Sequence, residues 1–228
     1  MAPPSSSGPL IAARSLSKRY ESASGGQAAL IDANFDIAAG EIVLVAGRSG
    51  AGKSTLLKLI AGIERPTGGS LFLSGQNLAA LSNKALPFVR RNLGIIFQDQ
   101  KLLFDRSALE NVLLPLDIVG ESRKTAVRRA QAALDRVGLL ERQHALPIAL
   151  SGGEQQRLAI ARAVVNRPAA ILADEPTANL DTESARITMD LFRAFHQVGT
   201  TVIVATHDPA WATQLGARLI HIEKGRTT

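Results

Sequence analysis

Three short runs of the chain are apolar at nearly every position: Ile-Val-Leu-Val-Ala at 42–46, Ala-Ile-Leu-Ala at 170–173 and Thr-Val-Ile-Val-Ala at 201–205. Runs this short and this continuous read as strands covered on both faces rather than as helices. From Leu10 onward such runs alternate with helical stretches, the pattern of an α/β fold built on a largely parallel sheet. Gly- and Ser-rich segments at 22–26 and 67–70 are predicted to be turns between β elements.

The middle of the chain has a different period. Residues 105–146 read mainly as helix, and Val127, Ala130, Leu134 and Val137 recur at steps of three and four, which places them on one helical face. Arg123, Lys124, Arg128, Arg129 and Arg136 fall largely off that stripe. They form either a solvated basic face or a surface for anionic lipid or a membrane partner.

Length bounds the organisation. A chain of 228 residues can bury a sizeable core and fits one compact domain carrying a subdomain better than two independent domains. No apolar run approaches the roughly 20 residues of a membrane span, so the chain is expected to be soluble by itself. Without cysteine, disulfide, zinc-thiolate and thiol-nucleophile chemistry are excluded, as suits a reducing compartment. Residues 1–9 are rich in Pro and Ser and lack an apolar segment; they read as a disordered tail, not a secretory signal. The net charge of +6 suits nucleic acid, an anionic membrane surface or a polyanionic ligand such as a nucleotide.

The motif after the first apolar run narrows that choice. Gly47-Arg48-Ser49-Gly50-Ala51-Gly52-Lys53-Ser54-Thr55 has the spacing of a phosphate-binding loop, between a predicted strand and a predicted helix. Gly47, Gly50 and Gly52 let the backbone turn tightly and aim successive amide groups of the loop, which also holds Ser49 and Ala51, at phosphate oxygens at the positive end of the helix. Lys53 is expected to bring its charge to the β and γ phosphates of ATP, Ser54 its hydroxyl to Mg²⁺, and Thr55 a bond to the α phosphate. The second apolar run ends in Asp174-Glu175-Pro176, and strand ends in such sheets open onto the ligand crevice. Asp174 is expected to hold Mg²⁺ through water, and Glu175 to polarise the water that attacks the γ phosphate.

A phosphate loop alone leaves kinases, GTPases, recombinases and helicases open. Leu150-Ser151-Gly152-Gly153-Glu154-Gln155-Gln156-Arg157 closes most of that list. Ser151, Gly152 and Gly153 present a hydroxyl and two amides at the start of a predicted helix 154–165, a second place suited to an anion. Ser151 followed by Glu154 also fits a capping box. This run matches the ABC signature, and on it the chain resembles the ABC ATPases. That resemblance implies a P-loop core with a mostly parallel sheet, an antiparallel β subdomain and an inserted helical subdomain. It divides the chain into a core at 10–98 and 163–228 and a helical signature subdomain at 99–162. It implies a head-to-tail homodimer in which the signature of one protomer serves the γ phosphate held by the other. Tyr20 resembles the aromatic that stacks on adenine, and Gln98 the glutamine that senses Mg²⁺ and joins core to helical subdomain. Ala178-Asn179-Leu180-Asp181 resembles the loop that joins protomers, with Ala178 where relatives commonly carry Gly. His207 resembles the switch histidine of the γ phosphate.

Longer stretches outside these motifs resemble one branch, the FtsE family of cell-division ATPases: Gly62-Ile63-Glu64-Arg65-Pro66-Thr67, Gly94-Ile95-Ile96-Phe97-Gln98-Asp99 and Arg162-Ala163-Val164-Val165-Asn166-Arg167-Pro168. The resemblance implies an FtsX-like integral membrane partner, divisome components around it, a place on the cytoplasmic face of the inner membrane, and control of peptidoglycan hydrolysis by mechanotransmission. Residues 98–116 are then the expected docking segment. Three other readings stand beside it. One is the ATPase of a lipoprotein- or drug-exporting complex. The second is a soluble protein acting on DNA or ribosomes, which the lack of a second nucleotide domain or coiled-coil insertion disfavours, so no nucleic acid is expected. The third is a nucleotide-regulated binding module without hydrolysis, which conflicts with a complete catalytic set.

Overall fold

The computed structural model describes residues 8–21 and 26–228. The tail 1–9 therefore lies outside the described residues except for its last two positions, and the turn expected at 22–26 except for Gly26.

Two sheets organise the chain. β1 (Ile11–Tyr20), β2 (Gln27–Ile37), β4 (Gly68–Leu73) and β5 (Gln76–Asn77) form an antiparallel sheet in the order β2-β1-β4-β5. β3 (Ile42–Ala46), β6 (Leu93–Ile96), β7 (Ala170–Asp174), β8 (Thr201–Thr206), β9 (Arg218–Glu223) and β10 (Arg226–Thr227) form a second sheet, β10-β9-β3-β8-β7-β6. In it every pairing but β9 with β10 is parallel. Seven α-helices accompany the sheets among the described residues: α1 (Lys53–Ile60), α2 (Leu86–Arg90), α3 (Ala108–Ile118), α4 (Arg123–Arg136), α5 (Gly152–Val164), α6 (Thr182–Gln197) and α7 (Ala210–Leu215).

The three apolar runs are the three central strands, and the side-chain alternation of a strand explains why they show no polar face. Ile42, Leu44, Ile171, Ala173, Val202 and Val204 enter one core, packed under α3, α4, α5 and α6. Their neighbours Val43, Val45, Leu172, Ile203 and Ala205 enter another, filled by α1 and the antiparallel sheet. Each strand thus serves both cores, and both faces demand apolar residues.

The turn expected at 67–70 is corrected: Gly68, Gly69 and Ser70 are the start of β4, and Gly68 and Ser70 pair with β1. β1 is irregular between Arg14 and Ser17 and runs so close that a Cβ on Gly69 would sit 2.1 Å from the Ser15 carbonyl oxygen. Gly69 marks a close backbone approach within a strand, not a turn. On α4 the most deeply buried positions are Ala126, Ala130 and Leu134, with Val127 half-buried, so the face is rotated slightly from the expected stripe. The strand before Gln98 stops at Ile96, and the signature helix starts at Gly152, two residues before Glu154.

Candidate functional site

The phosphate loop, the Asp174-Glu175 pair and His207 follow β3, β7 and β8, three adjacent strands that run parallel. Parallel strands in register bring their carboxyl ends to one edge, so residues far apart in sequence converge there. At this edge lies a cleft of about 390 Å³ lined by Tyr20, Gln27, Ala29, Ser49, Gly50, Gly52, Lys53, Ser54, Thr55, Gln98, Glu175, Ala178 and His207.

Local geometry holds the loop open. Gly52 caps α1 with φ 113° and no side-chain cap; a Cβ there would meet the Ala29 carbonyl oxygen at 2.3 Å. Only glycine satisfies both conditions. Lys53 is buried, and its Nζ donates to the carbonyls of Gly47 (2.8 Å) and Arg48 (3.3 Å). Bent back over the loop in this way, the ammonium stands 3.1 Å from Glu175 Oε1. The other carboxylate oxygen, Oε2, is 2.8 Å from His207 Nδ1 and accepts the His207 backbone N–H at 3.3 Å. Glu175 itself sits at φ 44°, a conformation uncommon outside glycine and asparagine. The turn after β7 is held by the Glu175 N–H donating to Ala205 O and the Ala178 N–H donating to Glu175 O.

Beneath the cleft, the Ser54 hydroxyl donates to Asp174 Oδ1 at 3.0 Å. Burial raises the Asp174 carboxyl above its ordinary value, against the lowering effect of that hydrogen bond. A desolvated carboxylate beside a hydroxyl is a hard oxygen donor pair that fits Mg²⁺. Among the described residues no group of three His, Asp or Glu side chains could hold a metal.

At the far side, Tyr20 is fixed by neighbours. Its hydroxyl donates to Glu64 Oε2 at 2.6 Å and lies 3.4 Å from Thr55 Oγ1. Lys18 Nζ stands 5.0 Å from the Tyr20 ring centroid and 3.3 Å from Glu64 Oε2. Burial, then the Glu64 bond, raise the Tyr20 hydroxyl above its usual pKa. Burial works to raise Glu64 too, but its bonds from Tyr20 and Lys18 outweigh it and hold the carboxyl low.

Of the remaining expected residues, Gly47 and Ala51 belong to the loop without lining the cleft; a Cβ on Gly47 would lie 2.3 Å from Ile222 O. Ser151, Gly152, Gly153 and Asp181 are not brought to the cleft of their own chain. They form a cluster of their own. Ser151 and Glu154 close a capping box on α5, and the amide of Ser151 holds Glu154 below the usual carboxylate range. Asp181 caps α6 through the backbone and hydroxyl of Ser184. A Cβ on Gly153 would meet Ser184 Oγ at 2.5 Å, so the signature packs directly on the start of α6. Arg162, later on α5, donates to the carbonyls of Gln100 and Lys101 and so ties the signature helix to the loop that carries Gln98.

Sequence reasoning missed Gln27, Ala29, Glu64 and Lys18. Nothing in the pattern of β2 singles out its first residues. Glu64 lay in a stretch that spoke only to family, although an acid near a functional tyrosine is a signal that geometry alone completes.

The ABC transporter family matches residues 30–178, so the chain belongs to the ABC transporter family of ATPases. Among its relatives, the cell division ATP-binding protein FtsE of Escherichia coli K12 is 50% identical over 201 residues, covering 88% of this chain and 90% of the relative. FtsE of Haemophilus influenzae is 46% identical over 216 residues (95% and 98%), and FtsE of Bacillus subtilis 41% over 206 residues (90% and 90%). Within the ABC transporters it thus groups with the FtsE proteins. The fold is that of the ATP-binding cassette MJ0796, solved as a dimer in a post-hydrolysis state bound to ADP and Pi, with TM-score 0.89, 35% identity and 96% coverage of both chains. It is also similar to cbiO1 from Clostridium perfringens, part of the ABC transporter complex cbiONQ (TM-score 0.85, 28% identity, 97% and 87% coverage).

Proposed function

We propose that this chain is the ATP-hydrolysing subunit of a cell-division ABC complex, and that its own residues act as follows. ATP lies in the cleft with its base against Tyr20, which Glu64 and Lys18 hold in place, and its phosphates over the loop 47–55. Lys53 meets the β and γ phosphates, and Thr55 the α phosphate. Glu175 orients and deprotonates the attacking water, while His207 holds the far carboxylate oxygen and the water's other side. Ser54, Asp174 and Gln98 would hold Mg²⁺, which when bound supplies charge neutralisation between the β and γ phosphates.

The observation that carries this reading is the arrangement of one carboxylate, Glu175, between Lys53 at 3.1 Å and His207 at 2.8 Å, at the strand end facing the phosphate loop. The pair places the base beside the cation that meets the γ phosphate. A dimer accounts for the residues left outside the cleft: Ser151, Gly152, Gly153 and Asp181 are offered to the nucleotide of a second copy. The dimer of MJ0796 supports that assembly.

The identity to FtsE proteins supports a role in cell division through an FtsX-like membrane protein, with the chain held peripherally at the cytoplasmic face of the inner membrane and wall hydrolysis controlled by mechanotransmission. Among the described residues no helix is long and apolar enough to cross a membrane, so attachment would run through the partner. We assign residues 99–162 to a helical signature subdomain and residues 10–98 and 163–228 to the core, with docking along 98–116. There Asn111, fully buried, binds the backbone of Leu103, Arg106 and Ser107 and leaves Phe104 half exposed on a fixed loop.

The test uses Glu175→Gln. Hydrolysis is expected to fall by roughly 10²–10⁴-fold with ATP affinity retained, and normal turnover would remove Glu175 from its role. The same variant, loaded with ATP and captured from solubilised membranes, should bring down an FtsX-like protein. An exporter permease in its place would keep the chemistry and overturn the cell-division role.

A further inference from the structure

The opposite edge of the parallel sheet holds a second and larger cleft, of about 950 Å³. Ile171 near the start of β7 and Thr200 just before β8 lie at its base, and the rest of its wall comes from α4, the end of α5 with the segment 165–168 that follows it, and the end of α6 with Val198. It is remote from the nucleotide chemistry, which sits at the carboxyl ends of the same strands.

Four arginines line it, Arg128, Arg129, Arg136 and Arg167, and no carboxylate does. Arg129 is committed elsewhere: its guanidinium pairs with Glu121 at 3.0 Å and donates to Val165 O at 2.8 Å, although its Nε is buried without a partner. The side chains of Arg128, Arg136 and Arg167 are exposed and make neither an ion pair nor a hydrogen bond among the described residues. Arg136 lies 5.4 Å from the centroid of the Phe195 ring. Arg167 stands at φ 53° directly before Pro168, where Gly or Asn is accommodated more easily than a long side chain. Three arginines without an ion pair among the described residues line one concavity, and one of them occupies a backbone position that disfavours it.

The interior between them is apolar. Val165, Ile171 and Phe195 are buried in the wall, and Val198 at the rim is 68% exposed. Guanidinium groups match phosphate oxygens in bidentate geometry, while the apolar wall would gain nothing from a bare inorganic ion.

We propose that this cleft is a further anion site that binds an amphiphilic phosphate ester, with its phosphate on Arg128, Arg136 and Arg167 and its apolar part on Phe195 and Val198. Because the walls belong both to α4 and to the sheet, an occupant clamps the helical layer onto the core at the edge opposite the nucleotide. Anionic phospholipid and soluble phosphorylated metabolites share this chemistry.

The experiment fills the nucleotide cleft with saturating ADP and then titrates the full chain with hexyl phosphate by calorimetry. In parallel, it is sedimented with vesicles of phosphatidylglycerol in phosphatidylcholine. Three proteins are compared: the unaltered chain, Arg128→Ser/Arg136→Ser/Arg167→Ser, and Arg123→Ser/Lys124→Ser, which removes two exposed charges of α4 that do not line the cleft. Hexyl phosphate is expected to bind the unaltered chain and the second variant alike, and the triple variant about tenfold or more weakly. Vesicle binding with the same dependence identifies lipid as the source, and hexyl phosphate binding without vesicle binding identifies a soluble ester. The proposal is overturned by three results: equal binding to the triple variant, an equal loss in the two charge variants, or inorganic phosphate binding as tightly as hexyl phosphate. Absence of binding by either probe to a chain that melts normally overturns it as well.

Discussion

Two helices of this chain begin at places suited to an anion, and they are built in opposite ways. α1 starts at Gly52 in a left-handed conformation, with no side chain capping its amides. α5 starts at Ser151 in an extended conformation, with Ser151 and Glu154 closing a reciprocal cap. The first leaves its donors free for phosphate, and its shape depends on glycine and on the neighbouring backbone of Ala29. The second bonds only the amides of Ser151 and Glu154 within the chain, so its form is set before any ligand arrives while the amides of Gly152 and Gly153 between them remain for an anion. A helix end that holds a nucleotide by itself must stay uncapped. One proposed to complete a site in a second copy has to keep its form while alone, and an internal carboxylate supplies that form.

The largest expected effect breaks the first of these ends. Gly52→Ala forces a left-handed alanine and sets its Cβ 2.3 Å from Ala29 O. Stability is expected to fall by about 2–4 kcal/mol, and ATP affinity by more than about tenfold. Equilibrium unfolding and nucleotide titration measure the two. Unchanged ATP affinity would show that the loop tolerates another shape and that the contrast with α5 is not functional.

Ser151→Ala tests the other end more gently. Loss of the cap is expected to cost about 1 kcal/mol of stability. ATP affinity of the isolated chain should not change, because Ser151 does not line its own cleft. Turnover at concentrations that favour the dimer should fall. A weakened affinity in the dilute, monomeric chain would place the signature in its own cleft and remove the reason for a second copy.

Legibility followed the same division. Motifs whose chemistry is carried by consecutive residues were readable: the loop 47–55, the carboxylates 174–175 and the cap at 151–154 each announce themselves by spacing. The central strands were readable because both faces are buried, which leaves no polar position to confuse the period. What could not be read depends on chain returning from a distance. Gly68 and Gly69 looked like a turn because the sequence does not show β1 passing alongside. Glu64 bonds Tyr20 across 44 residues, and Arg162 reaches the backbone after Gln98 across about sixty; no local pattern encodes either. The basic residues of α4 were seen as a charge run, but Arg167 joins Arg128 and Arg136 only through the fold.

The smallest effect has the opposite sign and concerns Asp174. Burial raises its pKa in the folded chain, so the folded state binds its proton more tightly than the unfolded state does. A raised carboxyl pKa makes ionisation a cost to stability: the cost is absent below the ordinary aspartate value of about 3.9, grows as pH rises through the folded value, and is complete above it. Asp174→Asn removes the charge and keeps an oxygen to accept from Ser54. It is therefore expected to raise the melting temperature of the nucleotide-free protein at neutral pH, while Mg²⁺-dependent hydrolysis falls. The gain should shrink as the pH is lowered toward the ordinary aspartate range, which thermal melts across an acid series would follow. A stabilised but inactive variant is what a carboxylate kept for a cation predicts. A destabilised one would mean that Ser54 and Lys53 already compensate the charge, and that the strand end is built for the fold rather than for the metal.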